Sequence, residues 1–273
     1  MMVKPLVTAI LLLSALPLFA AEKRLPLWEF GVGAGAIHFP DYRGSSRSQS
    51  YLLPVPAIVY RGERLKVDRE GLRGLLLDSE RLVLDISLDG AVPVDSDQNG
   101  TREGMPDLDA TFEIGPSLKL TLHQRGPLEF RLNLPYRFVY ASDFRHIDSH
   151  GALFNPNLSV SYNGRAHASF SAGPLYATND YHDYYYRVDP IYATAERPAY
   201  DPNGGYSGMR YVAGFSRRYE RHWLGAFIRY DDLAGAVFSG SPLVERQESW
   251  MGGLSLTWFF HRSSRTVSVD DSE

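Results

Sequence analysis

From residue 107 to 123 the chain alternates almost without a slip. Leu108, Ala110, Phe112, Ile114, Leu118, Leu120 and Leu122 share one parity, while Asp109, Thr111, Glu113, Ser117, Lys119 and Thr121 take the other. A period of two is that of a strand, whose successive side chains point to opposite faces. At about 3.3 Å per residue the run reaches roughly 50 Å, far longer than an ordinary soluble strand of about 5 to 6 residues. The next segment repeats the pattern, with Leu128, Phe130, Leu132, Leu134, Tyr136, Phe138 and Tyr140 set against Glu129, Arg131, Asn133 and Arg137. Two such neighbours point to a transmembrane β-barrel, in which one parity meets lipid and the other a lumen that tolerates charge. A soluble sandwich also alternates, but with shorter strands.

The same pattern extended along the chain predicts an all-β, antiparallel barrel of twelve strands. They lie near 28–40, 51–61, 63–69, 71–78, 81–94, 107–124, 127–143, 152–163, 166–180, 206–220, 222–235 and 247–260, with no helical periodicity after residue 21. Tight connections fall at RYERH, NGRA, HQRGP and DSER, and long ones at 95–106, 144–151, 181–205 and 236–246. Short periplasmic turns alternate with long outer loops in such barrels, and strand number is even. The even count requires residues 62–80, RLKVDREGLRGLLLD at their centre, to form a short hairpin.

Residues 1–21 read as a cleaved secretory signal peptide: Lys4, then the apolar run Leu6 to Ala20. The barrel is expected over 22–260, and the polar stretch HRSSRTVSVDDSE at 261–273 as a disordered periplasmic tail. After the signal no run of eighteen apolar residues occurs, so a helical membrane span is excluded. The absence of Cys removes disulfides and thiol chemistry. A formal charge of -4 without a basic stripe argues against nucleic acid as a partner. With 17 Tyr and 4 Trp, the aromatic content suits the interfacial belts of a barrel embedded in outer-membrane lipid and lipopolysaccharide.

Several stretches resemble the MipA/OmpV family of Gram-negative outer-membrane proteins: GVGAGAIHFPDYRGS at 31–45, LPVPAIVYRGERLKVD at 53–68, GMPDLDATFEIGPSL at 104–118, RPAYDPNGGY at 197–206 and GSPLVERQESWMGGLSLTWFF at 240–260. Their order and spacing cover nearly all of the mature chain. The resemblance implies an outer-membrane barrel of the cell envelope. For the name-giving member it implies a scaffold joining a lytic transglycosylase (MltA) to a peptidoglycan synthase, while other members resemble adhesins, surface antigens or channels. It brings no catalytic, cofactor or metal residue with it.

Candidate chemistry is sparse. Asp95, Asp97, Asn99 and Gly100 follow the D-x-D-x-N-G order of a calcium loop, but Pro106 stands where the bidentate acid belongs, with Glu103 or Asp107 as substitutes. The alternative, a polar loop of turn formers, is preferred. At 181–192, YHDYYYRVDPIY crowds tyrosines with His182, Asp183, Arg187 and Asp189; it reads as an interfacial aromatic girdle, or as a saccharide or lipopolysaccharide platform. His38, His123, His146, His150, His167, His182 and His222 are scattered, and no G-x-S-x-G motif accompanies them, so no enzyme is expected. Inward Glu113, Lys119, Arg131, Arg137 and Arg229 either plug the lumen or select solutes, which makes a small-solute channel the rival to a non-catalytic scaffold, and a surface adhesin the third reading.

Overall fold

The computed structural model describes residues 23–68, 71–79, 81–143 and 145–269. Residues 1–21, expected as a signal peptide, lie outside them. In chain order the strands are β1 (Lys23–Pro26), β2 (Trp28–Pro40), β3 (Ser48–Arg61), β4 (Leu65–Asp68), β5 (Gly71–Asp78), β6 (Leu82–Ala91), β7 (Ala110–Arg125), β8 (Leu128–Ser142), β9 (Ile147–Phe154), β10 (Asn157–Asn163), β11 (His167–Ala177), β12 (Gly205–Arg218), β13 (His222–Asp232), β14 (Glu248–Arg262) and β15 (Thr266–Val269). One helix, α1, spans Asn179–Tyr186.

Apart from β9 and β10, strands β2 to β14 pair antiparallel with their chain neighbours, and β14 closes on β2 through pairs such as Leu254↔Ala36 and Trp258↔Val32. β9 and β10 both pair with β8 and with β11, so they are two halves of one stave, interrupted at Asn155 and Pro156. Proline has no N–H to give a ladder. The ring therefore has 12 strands. The expected hairpin at 62–80 is present: β4 and β5 pair with each other, Asp68 facing Gly71, and join β3 to β6.

Alternation decides what each face meets. On β7 and β8, Phe112, Ile114, Leu120, Phe130 and Phe138 are exposed on the outside, while Thr111, Ser117, Glu129 and Arg137 are buried inside. Outward aromatics cluster in two bands. Tyr230 lies against Trp250 (4.5 Å between rings) and Phe112 stacks on Tyr140 toward the loop end; Trp28 with Phe30 and Trp258 with Phe260 occupy the turn end. By the short-turn rule the latter end is periplasmic.

Three expectations change. The 261–273 tail is ordered in part: β14 runs on through His261 and Arg262, and β15 pairs with β1 from Pro26↔Thr266 to Lys23↔Val269. Both chain ends leave the barrel at the same rim, and the TVSV stretch has the β-branched composition that takes up such a pairing; residues 270–273 lie outside the described ones. The long connection expected at 144–151 shrinks, because β9 already begins at Ile147 and bends at Gly151, whose φ of +78° suits glycine. The strand expected to reach 180 stops at Ala177, and the segment after it turns into α1.

A small buried apolar cluster, Ala57, Val59 and Phe259 with Trp223 against them, lies inside the barrel toward the turn end, but the larger core lies elsewhere. Tyr42, Val94, Leu108, Tyr181, Tyr185, Tyr186, Val188, Leu233, Phe238 and Leu243 form one buried cluster with the upper inner wall (Val139, Leu153, Leu175), at the loop end. Because β15 pairs with β1 alone among the described residues, removing residues 264–273 should leave the barrel folded. The check is heat-modifiable gel mobility, which the truncated chain is expected to retain.

Candidate functional site in the barrel lumen

The outer mouth is closed by four interlocked loops, 41–47, 92–109, 178–204 and 233–247. Tyr186 stacks on Phe238 with ring centroids 3.8 Å apart, donates from its hydroxyl to the Arg43 carbonyl (3.0 Å), and accepts at its own carbonyl from Ser241 Oγ (2.7 Å). Tyr42 donates to the Leu243 carbonyl, and Arg102 to the carbonyls of Tyr185 and Pro106. Arg197 spans the second and third loops, donating to the carbonyls of Thr101, Glu103 and Tyr192. Gly44 accepts from the backbone of Glu245 and Arg246 at a φ of +92°, which lets the first and fourth loops lie backbone to backbone. The bonds of Tyr42, Tyr186, Ser241 and of Arg102 to Tyr185 tie buried polar groups that could not be left open without cost.

Beneath this cap lies a belt of ion pairs. Asp231, fully buried, accepts from Arg43 Nε (3.1 Å) and from Arg210 Nε (2.7 Å) and Nη2 (3.0 Å), with Arg229 at 3.7 Å. Arg137 reaches Asp89 (3.1 Å) and Glu113 (3.3 Å) from the other wall. Lower down, Lys119 pairs with Asp85 (2.9 Å) and Arg131 with Glu129 (2.7 Å). Glu29 gathers Arg61 (3.0 Å), Arg262 (3.3 Å) and Arg218. The inward residues read from parity, Glu113, Lys119, Arg131, Arg137 and Arg229, thus all face the lumen and all are paired.

Below the belt the barrel opens into a cavity of about 1090 Å³ at the turn end. Its lining carries seven Lys and Arg against five Asp and Glu, together with Val59, Leu75, Val83 and Trp223, and its rim includes Leu25, Pro26, Val267 and Ser268 of the terminal β1–β15 ribbon. The lumen is therefore a vestibule open toward the periplasmic rim and stopped above.

The 95–107 segment uses its acids as turn caps. Asp95 Oδ1 accepts from the Asp97 N–H and its Oδ2 from Gln98, Asp107 accepts from the Ser96 N–H, and buried Asn99 donates to Asp41. Among the described residues no three His, Cys, Asp or Glu side chains converge as a metal set. The tyrosine cluster forms neither girdle nor platform. Tyr185 and Tyr186 are buried in the cap core, and Tyr184 donates to the Asp109 carbonyl and packs against His150 at 4.0 Å. Burial raises the hydroxyls of Tyr181 and Tyr184 to about 12, so they are plain donors at neutral pH. Arg187 pairs with Asp183 (3.1 Å), Asp189 (2.9 Å) and Asp201 (3.5 Å) at the surface. Parity reasoning did not single out Arg43, Asp231, Arg210 or Glu29. Asp231 shares the inward parity of Arg229, and that signal was available; Arg43 sits in a loop, where parity says nothing.

His182, fully buried, donates from Nδ1 to the Asn203 carbonyl (2.6 Å) and accepts at Nε2 from Ser207 Oγ (3.0 Å), a Ser207 that also accepts from Arg43. Loss of solvation, aided by the Arg43 charge and opposed by the Asn203 bond, pushes its pKa down to about 4.

A closed ring of twelve strands, outward-facing aromatics in two bands and a charged lumen define a bacterial outer-membrane β-barrel. Residues 32–260 match the model of the family described as MltA-interacting protein MipA, and the chain belongs to that family. It is 25% identical to outer membrane protein Omp26La of Vibrio anguillarum over 211 residues, 74% of this chain and 76% of that one. It is 32% identical to outer membrane protein OmpV of Vibrio cholerae over 92 residues, 33% of this chain and 34% of that one. Among solved structures it is similar to the NanC porin, at 9% identity and a TM-score of 0.38 over 84% of this chain and 98% of the porin.

Two outcomes are expected of the cap. Phe238→Ala should cost about 3–5 kcal/mol of local stability, the usual range for a buried ring, read as accelerated amide exchange in α1 while exchange in β7 and β8 stays slow. His182 is protonated near 6.5 when the cap is open but only near 4 when closed, so the cap is most stable above pH 6.5. It loses on the order of 3 kcal/mol as pH falls from 6.5 to 4. Amide exchange of α1 measured across that window should speed up toward acid, and a His182→Gln chain should show no such window.

Proposed function

We propose that this chain is a non-catalytic scaffold of the outer membrane, anchored by its barrel and presenting its periplasmic face to a partner of the kind named in the family's description, MltA, which the family resemblance makes a lytic transglycosylase. The observation that carries the reading is the asymmetry of the two ends. The outer mouth is filled by a buried loop core and backed by a paired charge belt. The periplasmic end has an open vestibule of about 1090 Å³ and a two-stranded ribbon at its rim. Tight turns alone offer little area, and a stable interface usually buries at least about 1,000 Å² in total; the ribbon and the vestibule mouth enlarge the surface beyond the turns. The rival, a small-solute channel, rests on the same vestibule and its excess of cationic groups.

Two measurements separate them. In planar bilayers at neutral pH the folded barrel should give no discrete conductance steps, whereas steps that follow salt concentration would make the channel primary. With purified lytic transglycosylase, binding to the barrel in detergent should weaken by about tenfold or more, the effect of losing one or two anchors of about 1–2 kcal/mol, when Leu25→Asp and Val267→Asp are combined. Equal binding by both chains would remove the ribbon from the interface.

A further inference from the structure

The barrel wall is incomplete on one side. β4 and β5 have only 4 and 8 residues between neighbours β3 and β6 of 14 and 10, and their hairpin turns back after Asp68. β3 meets it only at Tyr60↔Val67 and Arg61↔Lys66, and β6 meets β5 only from Val83 to Ile86. Among the described residues nothing pairs with 48–59 of β3 on that side, nor with 87–91 of β6. The slot starts near the turn-end aromatic band, where Tyr60 faces Trp28, and rises to Ser50, which faces His38 two residues from the level of Trp250. It is thus cut through the lipid-facing band and is continuous with the protein's interface to the membrane.

The edge of the slot is chemically unusual. Pro54 and Pro56 occupy alternate positions of β3, paired with Ala34 and Val32 of β2. A proline fits a regular ladder only where its nitrogen points away from the partner strand, so both nitrogens face the slot. Between Leu52 and Ile58 that edge offers no N–H. This disfavours addition of another strand and lessens the cost of unpaired backbone beside hydrocarbon.

Behind the slot the lumen wall is apolar. Leu53 is 48% exposed and Phe227 38%, both on inward parity, with Ile37 and Val55 between them. Val55 and Phe227 lie over glycines: a Cβ on Gly35 would come within 2.9 Å of Val55, and one on Gly253 within 2.8 Å of the Phe227 ring. The patch spans β3 and β2 and reaches Phe227 of β13 across Gly253 of β14, whereas the opposite wall carries the Arg137, Glu113 and Arg131 groups.

From this we infer that the slot between β3 and β6 is a lateral port through which a lipid acyl chain of the membrane enters the lumen and rests on the Leu53, Val55, Ile37 and Phe227 surface. The port is independent of the periplasmic scaffold.

The native chain has no cysteine, so single Leu53→Cys, Val55→Cys, Leu52→Cys and Ser161→Cys chains can each carry one environment-sensitive fluorophore in bilayers. Folding is verified by heat-modifiable mobility, and the quencher is a lipid with a nitroxide on its acyl chain. The labels at 53 and 55 should lose most of their fluorescence, as the lipid-facing label at 52 does, while the label at 161, on the far lumen wall, should not. Quenching of 53 and 55 by aqueous iodide but not by the nitroxide lipid would overturn the port, leaving a water-filled slot. Protection from both quenchers would also overturn it, since a second copy or another polypeptide would then cover the edge.

Discussion

Backbone amides in hydrocarbon have no water to bond, and each one left open costs several kcal/mol. Nearly every feature of this barrel follows from that constraint. The ring must close, so β14 returns to β2 although they lie at opposite ends of the chain. The stave made of β9 and β10 must continue past Pro156, and it does so by keeping β8 and β11 on its flanks above and below the break. The short β4–β5 hairpin keeps the ring closed at the turn-end rim, and prolines stand where the ring is open above it.

Closure leaves a lumen too narrow for a large aqueous pore and too wide to be filled by side chains from the strands alone. The protein fills it in tiers of different chemistry. Apolar and aromatic loop residues pack the outer mouth, where the loops can meet one another. Arginine and carboxylate pairs occupy the middle, where isolated charges would be expensive and paired ones are tolerable. Asp231 is the pivot of that tier. It joins Arg43 of the first loop to Arg210 of β12, and so couples the cap to the barrel wall.

The strand pattern carried most of the fold. Strands long enough to cross a membrane keep to a period of two apart from local bulges, because a lasting slip would put charges into lipid, and this is why β2, β7, β8 and β11 to β14 lie within a few residues of their expected bounds. The loops were illegible for the opposite reason. DYYYR has no alternation to obey, its tyrosines sort by contacts with distant segments such as Arg43, Asp109 and Phe238, and Tyr185 and Tyr186 end in a core rather than at an interface. The tail was misread because composition describes a segment alone, while β15 exists through its pairing with β1.

The class of protein, the number of strands and which residues face lipid or lumen were therefore legible along the chain, since these depend on local periodicity imposed by the bilayer. That the outer end is sealed, that the periplasmic end is a vestibule, and that one wall is left open at membrane height emerged from the assembled barrel alone. Those properties arise where loops, termini and unequal strands meet across the ring, and such meetings leave no periodic trace along the chain.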